Sequence, residues 1–272
     1  MAFQLLKPEE VATSQLARVG IYGQNGVGKT TFLSTVPASL PMLVVSADEE
    51  NVKPLRGLAH VRVAKIATWG DVCEVFLHIQ RAVDANKCPF KVIAFDTWSR
   101  IQALVLNHVV GYEIAKPGHE ADMATQVPKT PKGFDQWQAI GALAGQWMRY
   151  FMRLPLHTIF LFQEVTRTPK FDNDILETGP ALTPSALITA KEALEIIGRM
   201  YVVEDKPQED DLGTLANASL RSINAQHKEK RMLLVGKHER YFTKGPTHQL
   251  GYVVEDPSWS KLAAAILAAP ES

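Results

Sequence analysis

Short apolar runs alternate along this chain with longer stretches in which apolar residues recur every three or four positions. Runs of the first kind predict strands buried on both faces. Stretches of the second kind predict helices packed against them, and the alternation predicts a parallel sheet with crossover helices. The clearest strand runs lie at 19–22, 42–46, 90–96 and 157–162, with a shorter one at 60–63. Val72, Val75, Phe76, Ile79 and Val83 give helical periodicity over 69–86, opened by Thr68 and Asp71 at capping-box spacing. Further helices are expected at 31–36, 99–110, 135–154, 185–197 and 257–268, the third of these stopped by Pro155. Residues 111–134 and 165–184 show little periodicity and read as long loops, which in compact domains are often functional. Beyond residue 200 the pattern changes. Short strands at 200–203, 220–223 and 232–235 are separated by polar turns. The expected fold is α/β, a mostly parallel central sheet flanked by helices, with a short-strand C-terminal extension of the sheet. The main domain is expected over 17–256, preceded by an N-terminal segment, 1–16, and followed by a C-terminal helix and tail, 257–272.

The first strand runs into Gly23, Gln24, Asn25, Gly26, Val27, Gly28, Lys29 and Thr30, which match G-x-x-x-x-G-K-S/T at every fixed position. A glycine loop between a strand and a helix turns successive backbone N–H groups inward and cradles phosphates. Residues Gly23 to Thr31 are therefore expected to bind nucleotide. Lys29 would reach the β- and γ-phosphates, and the Thr30 hydroxyl would ligate Mg²⁺. Asp96 ends an apolar strand well downstream and is expected to hold the same ion opposite Thr30; its other reading is an N-cap for the helix that follows. Asp48, Glu49 and Glu50 follow the second strand. One of them is expected to activate the attacking water, with Asp48 first choice and Glu49 second, because a carboxylate at the end of the strand beside the phosphate loop can reach the γ-phosphate. A solvated acidic turn is the plainer reading. Gln163 ends a strand expected beside that of Asp96, where its amide would hydrogen-bond the γ-phosphate or its water; otherwise it is an ordinary polar residue at a strand end.

Composition adds local detail. The 272 residues carry 29 basic and 29 acidic side chains, so no general affinity for polyanions is implied and any nucleic-acid contact must be local. Residues 226–244 hold six Lys/Arg against two Glu, a net charge of +4. Within them Lys237 and Arg240 are expected to reach a neighbouring subunit's γ-phosphate, although a solvated hairpin has the same composition. Lys116, His119, Lys129 and Lys132 in one loop, and Arg167, Lys170 and Phe171 in the other, suit single-stranded nucleic acid. Cys73 and Cys88 have no paired spacing and read as free thiols in a reducing compartment. The first eight residues lack a signal-peptide pattern, and no run approaches the roughly 20 apolar residues of a membrane span. A soluble, cytoplasmic protein without membrane contact is expected.

The order of phosphate loop, acid-ended second strand, Asp96 strand and Gln-ended strand resembles RecA-like ATPases. More closely, the stretches IYGQNGVGKTTF, LVVSADEEN, FKVIAFDTWSRI, TIFLFQEV and VGKHERYF, spread over about 17–245, resemble the bacteriophage RecA-like ATP-binding proteins, including the Sak-type single-strand annealing ATPases. The resemblance implies a RecA-type core, ATP hydrolysis coupled to single-stranded DNA in phage-type recombination or replication, and a homo-oligomeric ring or filament in the host cytoplasm. Lys237 and Arg240 would then act across the subunit interface. In that family the second strand often ends S/D-T/A-E; here Asp48 stands at the aligned position with Glu49 beside it. Other P-loop classes fit less well. An AAA+ motor would carry Asp-Glu where this chain has Asp96-Thr97, and its helical lid domain is not evident. A GTPase would need N-K-x-D, against Asn86-Lys87-Cys88-Pro89 here. A small-molecule P-loop kinase stays open as an alternative, although its arginine-rich lid is not obvious. A nucleotide-dependent switch or assembly factor that never touches DNA remains the alternative from a different class.

Overall fold

Every central strand is an apolar run ending in a polar or glycine residue. The computed structural model describes residues 16–47, 52–111, 131, 133–167, 177–204 and 229–268. Nine strands form the sheet: β1 (Arg18–Gly23), β2 (Met42–Ser46), β3 (Val61–Lys65), β4 (Val92–Asp96), β5 (His157–Arg167), β6 (Glu177–Pro180), β7 (Ile196–Glu204), β8 (Glu229–Leu234) and β9 (Val253–Glu255). Their order is β3-β2-β4-β5-β1-β7-β8-β9, with β6 attached to β5. The strands from β3 to β7 pair in parallel, and β8, β9 and β6 are added antiparallel. The fold is thus mixed α/β with a mostly parallel central sheet flanked by helices.

Because side chains alternate across a strand, each strand supplies two cores. On one face Tyr22, Phe95, Phe160 and Phe162 pack beneath four helices: α2 (Trp69–Asp84), α3 (Trp98–Val109), α4 (Gly133–Arg153) and α5 (Pro184–Ala193). Phe95 and Phe160 are register partners, stacked with centroids 4.9 Å apart. On the other face Ile21, Val44, Ala94, Ile159 and Leu233 meet the short α1 (Lys29–Leu33) and the C-terminal α7 (Trp259–Leu267). Helix α6 (Thr247–Leu250) is a single turn before β9. The capping box of Thr68 and Asp71 is formed at the start of α2.

Three expectations change. The helix expected over 185–197 ends at Ala193, and Ile196 and Ile197 open β7, which pairs with β1 at the centre of the sheet instead of extending its edge. The stretch 165–184 is not one loop. Strand β5 runs on to Arg167 and pairs with β6, while 168–176 lie outside the described residues. The phosphate-loop helix starts at Lys29 and gives way to turns at 34–36. The expected strand at 220–223 and most of 111–134 lie outside the described residues. No described helix is long and apolar enough to cross a membrane.

One core contact carries a pH signature. The Ala17 N–H donates to His157 Nδ1 at 2.9 Å, and the ring lies edge-on to Trp259 at 5.4 Å. Burial pushes the His157 pKa below its ordinary 6.5. The unfolded chain takes up a proton near that value while the folded imidazole stays neutral, so stability falls as pH drops below about 6.5. His157→Asn keeps an acceptor for Ala17. Its melting temperature is expected to fall less than that of the wild type between pH 7.5 and 5.5.

Candidate nucleotide-binding site

Three neighbouring strands deliver the site. Strand β5 lies between β1 and β4, with Gly23 opposite Gln163 and Asp96 opposite Leu161. The ends of β1 and β4 therefore meet Gln163 at one edge of the parallel sheet, the crevice where α/β folds bind ligands. Gln163 does not end its strand as expected, because β5 continues to Arg167 by pairing with β6. After Gly23 the chain turns through Gly26 (φ 84°) and Gly28 (φ 95°), left-handed conformations that favour glycine, and enters α1 at Lys29.

The Lys29 side chain is buried, and its ammonium donates to the carbonyls of Gly23 and Gln24, each at 2.7 Å. Burial lowers its pKa, while the carboxylates of Asp96 and Glu164 push it back up. The Thr30 hydroxyl donates to Asp96 Oδ2 at 2.7 Å. Asp96 is buried, and its backbone carbonyl accepts from the Ser46 hydroxyl at 3.0 Å, which ties the end of β2 to the site. Thr97, not Asp96, caps α3, accepting from the Arg100 N–H. Asp96 is thus not the cap that its sequence position also allows. The Gln163 backbone is held on both sides: its N–H donates to Ser99 Oγ at 3.1 Å and its carbonyl accepts from the Ala181 N–H at 2.8 Å. Asn25, Gly28, Lys29, Thr30, Asp96 and Gln163 all line one cavity of about 260 Å³.

Other predicted residues are placed differently. Strand β2 is not beside the phosphate loop, because β4 and β5 intervene. Asp48, Glu49 and Glu50 lie outside the described residues, directly after a strand whose neighbour is the Asp96 strand. Lys237 and Arg240 are exposed and do not line the phosphate-loop cavity. Lys237 borders a separate cavity of about 490 Å³ with Lys191, Tyr241, Phe242 and Tyr252. The Arg167 guanidinium donates to the carbonyls of Pro180 and Leu182, at 2.8 and 3.3 Å, and so serves its own hairpin. Lys116, His119, Lys129, Lys132, Lys170 and Phe171 lie outside the described residues.

A group that pattern reading missed lies beside the loop. Glu164 binds Arg199 through two contacts, Nε to Oε2 at 2.7 Å and Nη2 to Oε1 at 3.4 Å. Burial works against the Arg199 charge, but the Glu164 carboxylate outweighs it and holds the guanidinium protonated. The guanidinium lies 4.1 Å from the Tyr241 ring centre. The Tyr22 hydroxyl, pushed above its ordinary pKa by burial, donates to the Thr178 carbonyl at 3.3 Å. Thr178 also pins the segment behind Tyr241, donating to the Arg240 carbonyl at 2.7 Å and accepting from the Phe242 N–H at 2.9 Å. The Lys244 ammonium bonds the carbonyls of Lys191 and Leu194. Placing β7 beside β1, with Arg199 opposite Tyr22, is what reveals this group.

The whole arrangement, a glycine loop with a buried lysine and a hydroxyl–carboxylate pair at the ends of parallel strands, suits a polyphosphate. A family model described as an AAA domain matches residues 16–247. No curated protein is similar enough to this chain to count as a match. The Asp96-Thr97 pair, which speaks against an AAA+ motor on sequence alone, does not keep the chain out of this family, since the match spans the phosphate loop and the strands of Asp96 and Gln163. The chain belongs to the AAA domain family of P-loop NTPases.

Proposed function

We propose that this chain binds ATP with Mg²⁺ and hydrolyses it, as a RecA-like ATPase acting on single-stranded DNA in phage-type recombination or replication. The observation that carries the reading is the convergence of Lys29, Thr30, Asp96 and Gln163 on one cavity from three adjacent strands. The Thr30 hydroxyl and Asp96 carboxylate, 2.7 Å apart, are hard oxygen donors of the kind Mg²⁺ prefers. They would hold the ion, which when bound offsets phosphate charge. Lys29 would bind the β- and γ-phosphates. Gln163, with its backbone fixed on both sides, would orient the terminal phosphate or the attacking water. Asp48 or Glu49 would take the water's proton. Positioning and electrostatic stabilisation supply most of the rate in such chemistry.

Assembly into a ring or filament would bring Lys237 and Arg240 to a neighbour's nucleotide. Their side chains are exposed and have no hydrogen-bond or ion-pair partner among the described residues, which supports this reading. The stretches 111–134 and 168–176 would carry the DNA strand. ATP turnover is expected to rise several-fold with single-stranded DNA in low salt and to lose that stimulation in moderate salt, because phosphate contacts release counterions. Turnover that ignores DNA at both salt levels would remove the DNA part of the reading. Phosphoryl transfer to a small acceptor would replace it with a kinase.

A further inference from the structure

Arg231 stands against the phosphate loop from a direction the site above does not use. It lies on β8, opposite Val202 of β7 and beyond the level at which β7 pairs with β1. Arg231 and Leu233 share one face of β8, and Leu233 is buried in the core that also holds Phe32 and Leu33 of α1. That parity directs Arg231 over the start of α1. A Cβ added at Gly28 would fall on Arg231 Nε, with Cδ 3.0 Å away, so the guanidinium end of the side chain and the loop are in contact. The guanidinium is exposed and has no hydrogen-bond or ion-pair partner among the described residues. Its neighbour Lys230 is paired with Glu255 at 2.8 Å, and the Asp256 N–H is spent on the Arg231 carbonyl. An unpaired planar cation resting on a phosphate-binding glycine is matched to phosphate oxygens.

Its flank decides which phosphate. Asp96 and Gln163 stand on the β4–β5 side of the loop and line its cavity; Arg231 stands on the β7–β8 side and does not. A nucleotide whose terminal phosphate faces Asp96 must lead its nucleoside end out over the opposite flank. We propose that Arg231, acting within its own chain, binds the nucleoside-proximal α- and β-phosphates and so contributes to affinity for di- and triphosphates alike. The proposal rests on the nucleotide-binding reading above.

The test is ATP and ADP affinity by calorimetry for the wild type, Arg231→Met and Arg231→Lys, with each variant's melting temperature measured without nucleotide. Methionine keeps the apolar stem against Gly28 and removes the charge; lysine keeps a charge without the fork. Arg231→Met is expected to weaken ATP and ADP by a similar factor, about tenfold or more, as for a lost charge-assisted contact. Arg231→Lys should recover part of that loss, and the salt dependence of binding should flatten in the methionine variant alone. Unchanged affinities in Arg231→Met would overturn the proposal and leave Arg231 a packing residue. A loss confined to ATP would overturn it too, by moving the contact to the γ-phosphate. A wild-type chain that binds neither nucleotide would instead defeat the underlying reading. If Arg231→Met does not fold, Arg231→Gln is read in the same assay by the same criteria.

Discussion

Lys29→Ala is expected to slow ATP hydrolysis by at least about a hundredfold, the scale on which loss of one preorganised charge-stabilising group acts, while leaving the melting temperature nearly unchanged. The first half follows from where the side chain sits, buried in the lining of the cavity that Thr30, Asp96 and Gln163 also border. The second half follows from the same burial. Its charge is held against desolvation, as the lowered pKa shows, and two carbonyls satisfy two of its three donors. Deleting it removes two hydrogen bonds of about 1 kcal/mol each and, with them, an unfavourable desolvation of similar size and opposite sign. A turnover assay beside a thermal melt reads both. Retained hydrolysis would move the chemistry elsewhere in the chain. The same variant serves a second use. Mixed with Arg240→Ala, it should restore part of the activity, because a subunit interface could then join an intact Lys29 from one chain to an intact Arg240 from the other. No recovery in the mixture would count against action between subunits.

Phe95→Ala is expected to cost about 3–5 kcal/mol of folding stability, as for other buried aromatic truncations. Phe95 is fully buried, stacked on Phe160 at 4.9 Å, and meets Trp98 and Phe151 edge-on at 4.9 and 4.7 Å. Such ring pairs add to the stability gained from area alone. Domains of this kind are stable by only about 5–15 kcal/mol, so a loss of this size leaves the fold near its limit at body temperature. Urea unfolding should show a lower midpoint with an unchanged slope. A loss below about 1 kcal/mol would mean that the neighbouring rings close the cavity. Phe95 directly precedes Asp96, so a folded variant should also hydrolyse ATP more slowly.

Much of this molecule is legible in its residue pattern, and the reasons are local. Strands β1, β2 and β4 are buried on both faces, so their residues form unbroken apolar runs with clear ends. Thr30 and Asp96 stand at positions defined by a motif or by a strand end, and the sheet brings such positions together whatever lies between them. Gln163 marks the end of the apolar run, although β5 itself continues to Arg167. What pattern reading loses is of two kinds. Only Leu194 and Glu195 separate α5 from β7, with no glycine or proline between them, so the helical period runs on into Ile196 and Ile197. Residues such as Arg199 and Arg231 acquire meaning from strand order. Arg199 comes opposite Tyr22 because β7 returns beside β1, and Arg231 reaches Gly28 from β8, one strand further out; no spacing in the chain records either return.

The anchoring of the segment behind Tyr241 has a thermodynamic consequence. Arg240 is bonded through its backbone to Thr178, Tyr241 lies against the Arg199 guanidinium, and Lys244 is fastened to the end of α5. Arg240 therefore projects from a rigid mount, and only its own rotamers would remain to be fixed if it met the proposed neighbouring phosphate. Ordering a flexible loop around the same contact would cost about 1–2 kcal/mol for each backbone residue fixed. Here that entropy is surrendered once, when the chain folds, and is not charged again at each encounter.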